Sequence, residues 1–442
     1  MKKLLLSDMH TGKTPKTNQL MKNLSLGKNQ KIEYLIIVIS LLITSCSPNE
    51  KEAARFSYPP EWAPQKAVWI DFPDETGWGG GSLPTDYPAR IEIIENLLKY
   101  VPVNIILDSD SMRNILESML TVAEDRRENI HIFKHPDAVG AAIRDYGPVL
   151  LTSDESYQMA DFGFEGFGGA AFADSSFWER AKIDNLLADS LDYLVKKIDL
   201  NSEGGGFITS SKVILLFEEF AKMRNPGLTL EEIEQRFLKA LGLEKVIWVK
   251  EPMLLDKNGH KLGNTYGQGG NFHMDAYLRF VNDSTILIPT IDPSIKDKTP
   301  LLAADYKASL ANLERLRKET NIDGKPFNIV EIPHPDVSLY QYEFPFQPGD
   351  EAYFSESQLG DTITYVPIIG YSNFLITNGA VLVSEYWREG LPESEKANDE
   401  KMKAILKQYF PHREIIGIKK ALMLNWFGGG IHCQTMQIPK IN

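Results

Sequence analysis

Helical and strand-like segments alternate along most of the chain, and this alternation constrains the fold more than any other feature. The clearest helix begins after Thr229, which can form a capping box with Glu232, and it ends at Gly242 before a strand-like run at 246–249. The same order recurs at 91–101 before 103–107, 112–122 before 130–133, 301–316 before 327–332, and 400–409 before 414–418. Repeating modules of helix and strand predict an α/β fold.

The composition favours one large folded domain after a short N-terminal segment. Hydrophobic residues make up 43% of the 442 residues, and no linker or low-complexity tract separates Pro59 from the C-terminus. Residues 58–442 are therefore predicted to be a single domain. The formal charge of −13 disfavours nucleic acid as a partner. The sequence leaves the oligomeric state open.

The N-terminus carries the pattern of a bacterial lipoprotein signal. Lysines precede an apolar run at 34–44, which is shorter than the roughly 20 residues that span a bilayer. The following Ser45-Cys46 resembles the end of a lipobox. We therefore expect residues 1–46 to be the signal, Cys46 to be lipidated, and residues 47–57 to tether the domain to the cell envelope. Met21 is a second possible start, so residues 1–20 are interpreted as a possible extension of the gene model.

The second cysteine is a candidate nucleophile. Cys433 follows Gly428-Gly429-Gly430, where the backbone and a ligand can approach closely. A thiol reacts as the thiolate and needs a partner that accepts its proton or stabilises its charge, and His273 can supply this. A buried, inert cysteine is the alternative.

Further polar residues occur in places that a hydrophobic core would not favour. Asp145 precedes a Gly-Pro turn and is expected at a loop tip, and Asn373 precedes a strand-like run. Asp275 lies two residues after His273, and in the extended segment expected here both side chains point to one face. If these groups converge with the thiol, they form a cavity for a planar guanidinium, whose paired N–H donors bind carboxylates. Asp145 could instead pair with Arg144, and Asn373 could form an Asx-turn.

Several motifs in a fixed order resemble the agmatine deiminase and bacterial-type peptidylarginine deiminase family of the pentein superfamily. The resemblance covers the chain from about residue 58 to its end. It rests on Pro60-Glu61-Trp62-Ala63-Pro64, Arg144-Asp145-Tyr146-Gly147-Pro148, Asp161-Phe162-Gly163-Phe164, Glu203-Gly204-Gly205, Gly270-Asn271-Phe272-His273-Met274-Asp275, Tyr371-Ser372-Asn373 and Gly430-Ile431-His432-Cys433. It implies a five-bladed α/β propeller around a central active site.

The resemblance also implies a set of residue roles. Cys433 would attack the guanidinium carbon, Asp145 and Asp275 would hold the guanidinium nitrogens, and His273 would protonate the departing ammonia and then activate water. Further substrate contacts are expected at Asn373, Glu165, Glu203 and Trp78, with no cofactor and no metal. His432 is expected to face the opposite side of a strand from Cys433, in a structural role.

The substrate and the activity remain open at this point. Glu165 occupies a region where exopeptidyl relatives carry arginines, which favours agmatine or a related guanidino amine, whereas an envelope location favours arginyl peptides. The first alternative to an enzyme is a catalytically silent lipoprotein that binds guanidino compounds or arginyl peptides. A papain-like protease is disfavoured because the cysteine comes last in the chain. A zinc site of His273, Asp275 and either His432 or His334 lacks clustered ligand spacing.

Overall fold

Helices and strands alternate in the structure as the sequence predicts. The computed structural model describes residues 56–73, 85–135, 142–169, 181–257, 259–267, 269–352, 354 and 356–441. The predicted signal peptide, Cys46 and Trp78 lie outside these residues. Strands β1 to β20 are Gln65–Asp71, Val103–Leu107, Ile130–Lys134, Val149–Thr152, Tyr157–Gly163, Leu194–Asn201, Phe207–Thr209, Val213–Phe217, Lys245–Val249, Lys261–Leu262, Thr265–Gly267, Arg279–Asn282, Thr285–Thr290, Asn328–Pro333, Tyr342–Pro345, Thr362–Val366, Leu375–Ile376, Ala380–Ser384, Glu414–Ile418 and Thr435–Pro439.

The helices fill most of the longer connections between these strands. Helices α1 to α10 are Tyr87–Leu97, Asp110–Met119, Glu124–Arg127, Ile143–Tyr146, Ile183–Ser190, Glu218–Arg224, Leu230–Leu241, Pro300–Leu316, Glu393–Tyr409 and Leu422–Asn425. Short helical turns occur at Gly166–Gly169, Gly204–Gly206, Leu254–Asp256, Met274–Ala276, Val337–Leu339 and Asp350–Ala352.

Local sequence explains the best-defined helix, α7. The Thr229 side chain accepts a hydrogen bond from the backbone N–H of Glu232, and the Glu232 carboxylate accepts one from the backbone N–H of Thr229. Gly242 ends the helix with a left-handed φ of 68°. The buried face carries Ile233, Phe237 and Leu241, so the helix packs its apolar stripe into the core.

Five sheets within the described residues share one strand pattern. In each, an antiparallel pair is followed by a strand parallel to its second member, as in β4-β5-β6, β7-β8-β9, β12-β13-β14 and β17-β18-β19. Parallel neighbours require a crossover connection. Helices α5, α6 with α7, α8 and α9 lie in these crossovers. The predicted module of helix and strand is therefore the repeating unit of the domain.

The fifth of these sheets joins the two ends of the described chain. Its order is β20-β1-β2-β3, and β20 runs antiparallel to β1 with Met436 opposite Trp69. Helix α1 occupies the crossover from β1 to β2. This pairing places the turn that contains Cys433, immediately before β20, beside the start of the domain.

A further sheet, β10-β11-β16-β15, comes from the segment between Lys261 and Val366. Its core is an aromatic cluster that includes Tyr266, Phe346 and Tyr365. The segment that follows β16 contributes Ile368, Ile369 and Gly370 to the wall of a cavity described below. Within the part of the chain that the structure describes, no helix has both the length and the apolar character needed to cross a bilayer.

Candidate active site

The thiol, the imidazole and one of the predicted acids line a single cavity. The wall of this cavity includes Cys433, His273, Asp275 and Asn373. Asp145 lines a neighbouring cavity, and its Oδ1 lies 3.7 Å from Nδ1 of the same His273. The structure therefore brings Cys433, His273, Asp275, Asn373 and Asp145 together, with Asp145 beside the imidazole.

Cys433 lies in a turn directly before β20, and Asn373 fixes its position. The Asn373 side-chain N–H donates to Sγ of Cys433 at 3.2 Å, and its Oδ1 accepts the backbone N–H groups of His432 at 2.9 Å and Cys433 at 3.3 Å. Burial, followed by the carboxylates of Asp275 and Asp145, raises the pKa of the Cys433 thiol well above its usual value. Without a bound cation, the sulfur is therefore a thiol at neutral pH.

His273 lies between two buried carboxylates. Its Nδ1 faces Asp145, and its Nε2 is 3.7 Å from Oε1 of Glu203, which is too long for a hydrogen bond. Burial alone would lower the pKa of His273, but Asp145, Glu203 and Asp256 together raise it to about 10. The imidazole is therefore protonated at neutral pH and can donate a proton inside the cavity.

Two glycines make room for this imidazole. A Cβ atom on Gly270 would lie 2.3 Å from Nδ1 of His273, and one on Gly205 would lie 2.7 Å from both that nitrogen and Oδ1 of Asp145. The backbone N–H of Gly205 also donates to Asp145 Oδ1 at 2.9 Å. These close approaches explain the glycines in both motifs.

Asp256, which the sequence analysis did not identify, holds the loop before His273. Its carboxylate accepts the backbone N–H groups of Gly270 at 2.8 Å and His273 at 2.5 Å. The loop between them is unusual because Asn271 and Phe272 both have left-handed backbone angles, with φ of 57° and 74°. Burial raises the pKa of Asp256 to about 6. No local pattern around Asp256 signals this role, because its partners lie more than a dozen residues away.

Asp275 has one oxygen engaged and one open. Its Oδ2 lies 2.7 Å from Nδ1 of His432 and accepts the Cys433 thiol at 3.5 Å, while Oδ1 has no hydrogen-bond partner among the described residues. Burial opposes ionisation, but the hydrogen bond with His432 and the charges of His432 and His273 hold the pKa of Asp275 below its usual value. An ionised, buried carboxylate with an open oxygen is a ready acceptor for a cationic N–H group.

The strand conformation predicted at His432 is wrong, while its structural role stays a prediction. We expected this residue to face away from the site on a strand, but residues 431–434 form a turn, and the fully buried His432 ring contacts Asp275. Its Nε2 lies 2.7 Å from Oε1 of Glu61. The two-residue periodicity of a strand does not apply in a turn, so the ring points towards the acids of the site.

The extended conformation expected for His273 to Asp275 is also wrong, since a helical turn at Met274–Ala276 follows His273. Both side chains nevertheless line the cavity. Asp145, expected at a loop tip, lies in the short helix α4 and is buried. Asn373 precedes β17, as predicted.

The other predicted contacts lie in different surroundings. Glu203 is buried and forms an ion pair with Arg224, whose Nε is 2.8 Å from Oε1, so its nearest site partner is His273. Glu165 is half-buried in the loop after β5, and it is absent from the described residues that line the two cavities. Its role as a substrate contact, and that of Trp78, stay predictions.

The side chains of His273, Asp275, His432 and His334 do not form the zinc site considered as an alternative. Among the described residues, no group of three or more His, Cys, Asp and Glu side chains is arranged to hold a metal ion. Both ring nitrogens of His432 already face carboxylates. His334 is buried elsewhere, beside the carbonyl of Pro335, and burial lowers its pKa to about 4.

The site has the chemistry to bind a flat cation next to a nucleophile. Burial raises the pKa of Asp145 to about 7, and the neighbouring charges of Asp275 and Glu203 contribute, although His273 opposes the shift. Crowded acids of this kind are stabilised when a cation binds between them. The open oxygen of Asp275, the thiol and the protonated imidazole then surround one ligand.

Comparison with known proteins identifies the family of this chain. The family profile described as Porphyromonas-type peptidyl-arginine deiminase matches residues 57–439. A Photobacterium profundum protein named "Putative agmatine deiminase" is 25% identical over 400 residues, covering 87% of this chain and 96% of the relative.

Solved structures of similar fold cover nearly the same part of the chain. The Enterococcus faecalis agmatine deiminase has a TM-score of 0.66 at 22% identity, covering 88% of this chain and 96% of its own. A substrate-bound C. jejuni agmatine deiminase has a TM-score of 0.65 at 19% identity, with 88% and 98% covered. These structures show a shared α/β fold, and the profile match shows that this chain belongs to the Porphyromonas-type peptidyl-arginine deiminase family.

Proposed function

We propose that this protein hydrolyses a guanidino group to a ureido group and ammonia. The observation that carries the proposal is the single buried site in which a thiol, a protonated imidazole and two carboxylates meet. One carboxylate oxygen in it, Oδ1 of Asp275, is unpartnered among the described residues. The family and the relatives named as deiminases support the same chemistry.

Substrate binding would activate the nucleophile. A guanidinium held by Asp275 and Asp145 brings a positive charge next to Cys433, which lowers the cost of forming the thiolate. The proton of the thiol leaves for solvent as the cation enters. The high pKa of the thiol in the empty site is therefore compatible with catalysis.

The reaction proceeds in two halves. The Cys433 thiolate forms a C–S bond to the guanidinium carbon, and a C–N bond then breaks as His273 donates its proton to the leaving ammonia. Neutral His273 next accepts a proton from water, and the hydroxide adds to the thiouronium carbon. The C–S bond then breaks to release the thiolate and the urea, and the hydroxyl proton of the urea leaves for solvent. One water is consumed, and one ammonia and one proton are released.

Two substrate classes fit this chemistry, agmatine and peptidyl-arginine. Relatives named as agmatine deiminases support the first, and the family description supports the second. We therefore propose only that the substrate carries a guanidino group. Activity measured on agmatine, free arginine, and internal and C-terminal arginyl peptides would identify the rest of the substrate.

A five-bladed propeller is the arrangement that we propose for the domain. The five sheets with a common strand pattern support it, because each would form one blade. The sheet β10-β11-β16-β15 would then be an insertion.

We also propose that Cys46 anchors the protein by a lipid in the cell envelope. The apolar run and the Ser45-Cys46 sequence support this proposal. Metabolic labelling with a fatty acid tests it: label should appear on the wild-type chain and be absent from Cys46→Ala. Equal labelling of both chains would contradict it.

The same pair of cysteines supplies a matched control for the enzymatic proposal. We expect Cys433→Ala to reduce ammonia and ureido release by about 1,000-fold or more, as for other nucleophile deletions, while Cys46→Ala keeps the wild-type rate. Undiminished release by Cys433→Ala would overturn the proposal. Calorimetric binding of agmatine or an arginyl peptide by a wild-type protein that releases no ammonia would instead support the catalytically silent lipoprotein.

A further inference from the structure

A buried row of charged side chains leads from the start of the domain to the candidate nucleophile. The Arg279 guanidinium lies 2.5 Å from Oε2 of Glu61, whose Oε1 is 2.7 Å from Nε2 of His432. Nδ1 of His432 is 2.7 Å from Oδ2 of Asp275, which accepts the Cys433 thiol. These groups come from three separate segments of the chain, so only the folded domain assembles them.

The two short contacts fix the protonation of His432. A neutral imidazole carries one N–H, whereas both ring nitrogens of His432 face carboxylate oxygens at hydrogen-bond distance. Two ionised carboxylates can both accept from this ring only if it is an imidazolium. A charged ring also balances the row, because Arg279 and His432 then offset Glu61 and Asp275.

The surrounding charges are consistent with ionised acids on both sides of the ring. Burial opposes ionisation of Glu61, but Arg279 and His432 hold the pKa of this carboxyl far below its usual value. The other charged group against His432 is Arg144 of α4, whose Nε donates to the His432 carbonyl at 3.3 Å. Around Asp275 lie the Cys433 thiol and the imidazolium of His273. The charges of Arg279, Asp145 and Asp256 also act on this carboxylate.

We propose that His432, held as an imidazolium by Glu61, is a positioning residue that keeps Asp275 ionised and directs its free oxygen to the substrate. Engaging Oδ2 leaves Oδ1 as the open acceptor of the cavity. The role rests on the proposed deimination, but the charge state of His432 does not depend on any substrate.

Two substitutions of His432 distinguish its contact with Asp275 from its contact with Glu61. The amide nitrogen of Asn occupies nearly the place of Nδ1, so His432→Asn keeps a donor to Asp275, while the amide of Gln replaces Nε2, so His432→Gln keeps a donor to Glu61 only. We expect kcat/KM to fall by about 100-fold in His432→Gln, mainly through KM, because Asp275 loses the partner of a buried ion pair. The decrease in His432→Asn should be about 10-fold, since a neutral hydrogen bond remains.

The pH profile provides a readout that a purely structural role would not change. Without its donor, Asp275 becomes easier to protonate, so the acidic limb of kcat/KM should move to higher pH in His432→Gln and by less in His432→Asn. Thermal unfolding of both variants reports whether they fold. Equal losses of activity in the two variants, with the acidic limb unmoved, would overturn the proposal.

Nitrogen-15 spectra of histidine-labelled full-length protein test the charge state directly. Comparison with His432→Asn assigns the His432 signals, and we expect both ring nitrogens to carry a proton at neutral pH, as the two carboxylate contacts require. A neutral His432 ring at neutral pH would overturn the proposal whether or not the protein turns over a guanidine. If His432→Gln does not fold, this spectrum and the His432→Asn profile still decide the matter.

Discussion

The carboxylate of Asp145 is proposed to hold the substrate cation, but its ionisation lowers the stability of the folded protein. Burial raises its pKa from 3.8 to about 7. The folded-state pKa is therefore higher than the unfolded one, so ionisation of Asp145 costs stability as the pH rises from about 4 through about 7. The imidazolium of His273, whose Nδ1 lies 3.7 Å from Oδ1 of Asp145, offsets part of this cost.

Replacing Asp145 by Asn should make the fold more stable and the enzyme inactive. The Asn keeps an acceptor for the Gly205 N–H but carries no buried charge. Above about pH 7 we expect the free energy of unfolding to rise by on the order of 2 kcal/mol, with no gain in strong acid. Thermal unfolding across pH checks this, with the exposed Asp125→Asn as control. A less stable Asp145→Asn protein at alkaline pH would contradict the prediction.

Arg224 and Glu203 form an ion pair whose loss should be severe. Both side chains are buried, and Arg224 holds the pKa of Glu203 at about 2 although burial opposes ionisation. Removing only the cation in Arg224→Met leaves an uncompensated buried charge and should cost about 3–5 kcal/mol.

The pH dependence and a double variant check this prediction. Glu203 has a depressed pKa, so its contribution is present above the unfolded value of 4.5 and is lost as the pH falls towards 2. The free energy of unfolding of Arg224→Met should therefore change less than that of the wild type as the pH falls from 4.5 towards 2. Adding Glu203→Gln should recover part of the loss, and equal stability of the single and double variants would count against the ion pair.

At the scale of elements, the loops before His273 and after Glu203 are shaped around one imidazole ring. We expect Gly270→Ala to lower turnover by about 100-fold or more, because a displacement of about 1 Å in a catalytic group has an effect of this size. The methyl group would overlap His273, and the nearest atom would be 2.3 Å away.

The matched control for this prediction is Gly324→Ala. No atom lies within 4 Å of the added methyl there, although the left-handed φ of 74° should reduce stability by about 1 kcal/mol. Gly270→Ala should therefore strongly reduce ammonia release. Gly324→Ala should keep the wild-type rate of ammonia release and lower only the thermal stability. Wild-type turnover in Gly270→Ala would show that the imidazole does not occupy this place.

Several element boundaries were predictable from sequence because their causes are local, whereas helix α1 begins at Tyr87 and α9 at Glu393, four and seven residues before the predicted starts at 91 and 400. Capping residues and apolar periodicity located α7, and the strands β2 and β19 match the predicted runs 103–107 and 414–418. Turns were less predictable: the conformations around His273 and Cys433 depend on contacts with Asp256 and Asn373, which are distant in the chain.

At the scale of the whole domain, strand β20 holds the two ends of the described chain together. Met436 and Ile438 of this strand are buried in the core, and β1 pairs with it along one edge. A chain that ends at Gln434 keeps Cys433 but leaves the buried strand β1 without this partner. We expect it to aggregate and to show no cooperative unfolding, whereas a chain that ends at Ile441 should behave as the wild type.

Soluble yield and thermal unfolding of these two truncated chains check the prediction. A soluble chain ending at Gln434 that still releases ammonia would show that β20 is dispensable. Because both truncated chains contain Cys433, a difference between them reports the effect of losing β20 and not the effect of losing the nucleophile.

The amino-acid sequence alone predicted the alternation of helices and strands and named the candidate site residues, because capping, periodicity and short motifs act over a few residues. It did not determine which way His432 points, that Asp256 anchors the loop, or that Asp145 approaches His273 from a neighbouring cavity. These three features are visible only in the folded chain, because they depend on contacts between segments far apart in the sequence. Burial among those segments also set the protonation of Cys433, His273 and Asp145, which no local pattern encodes.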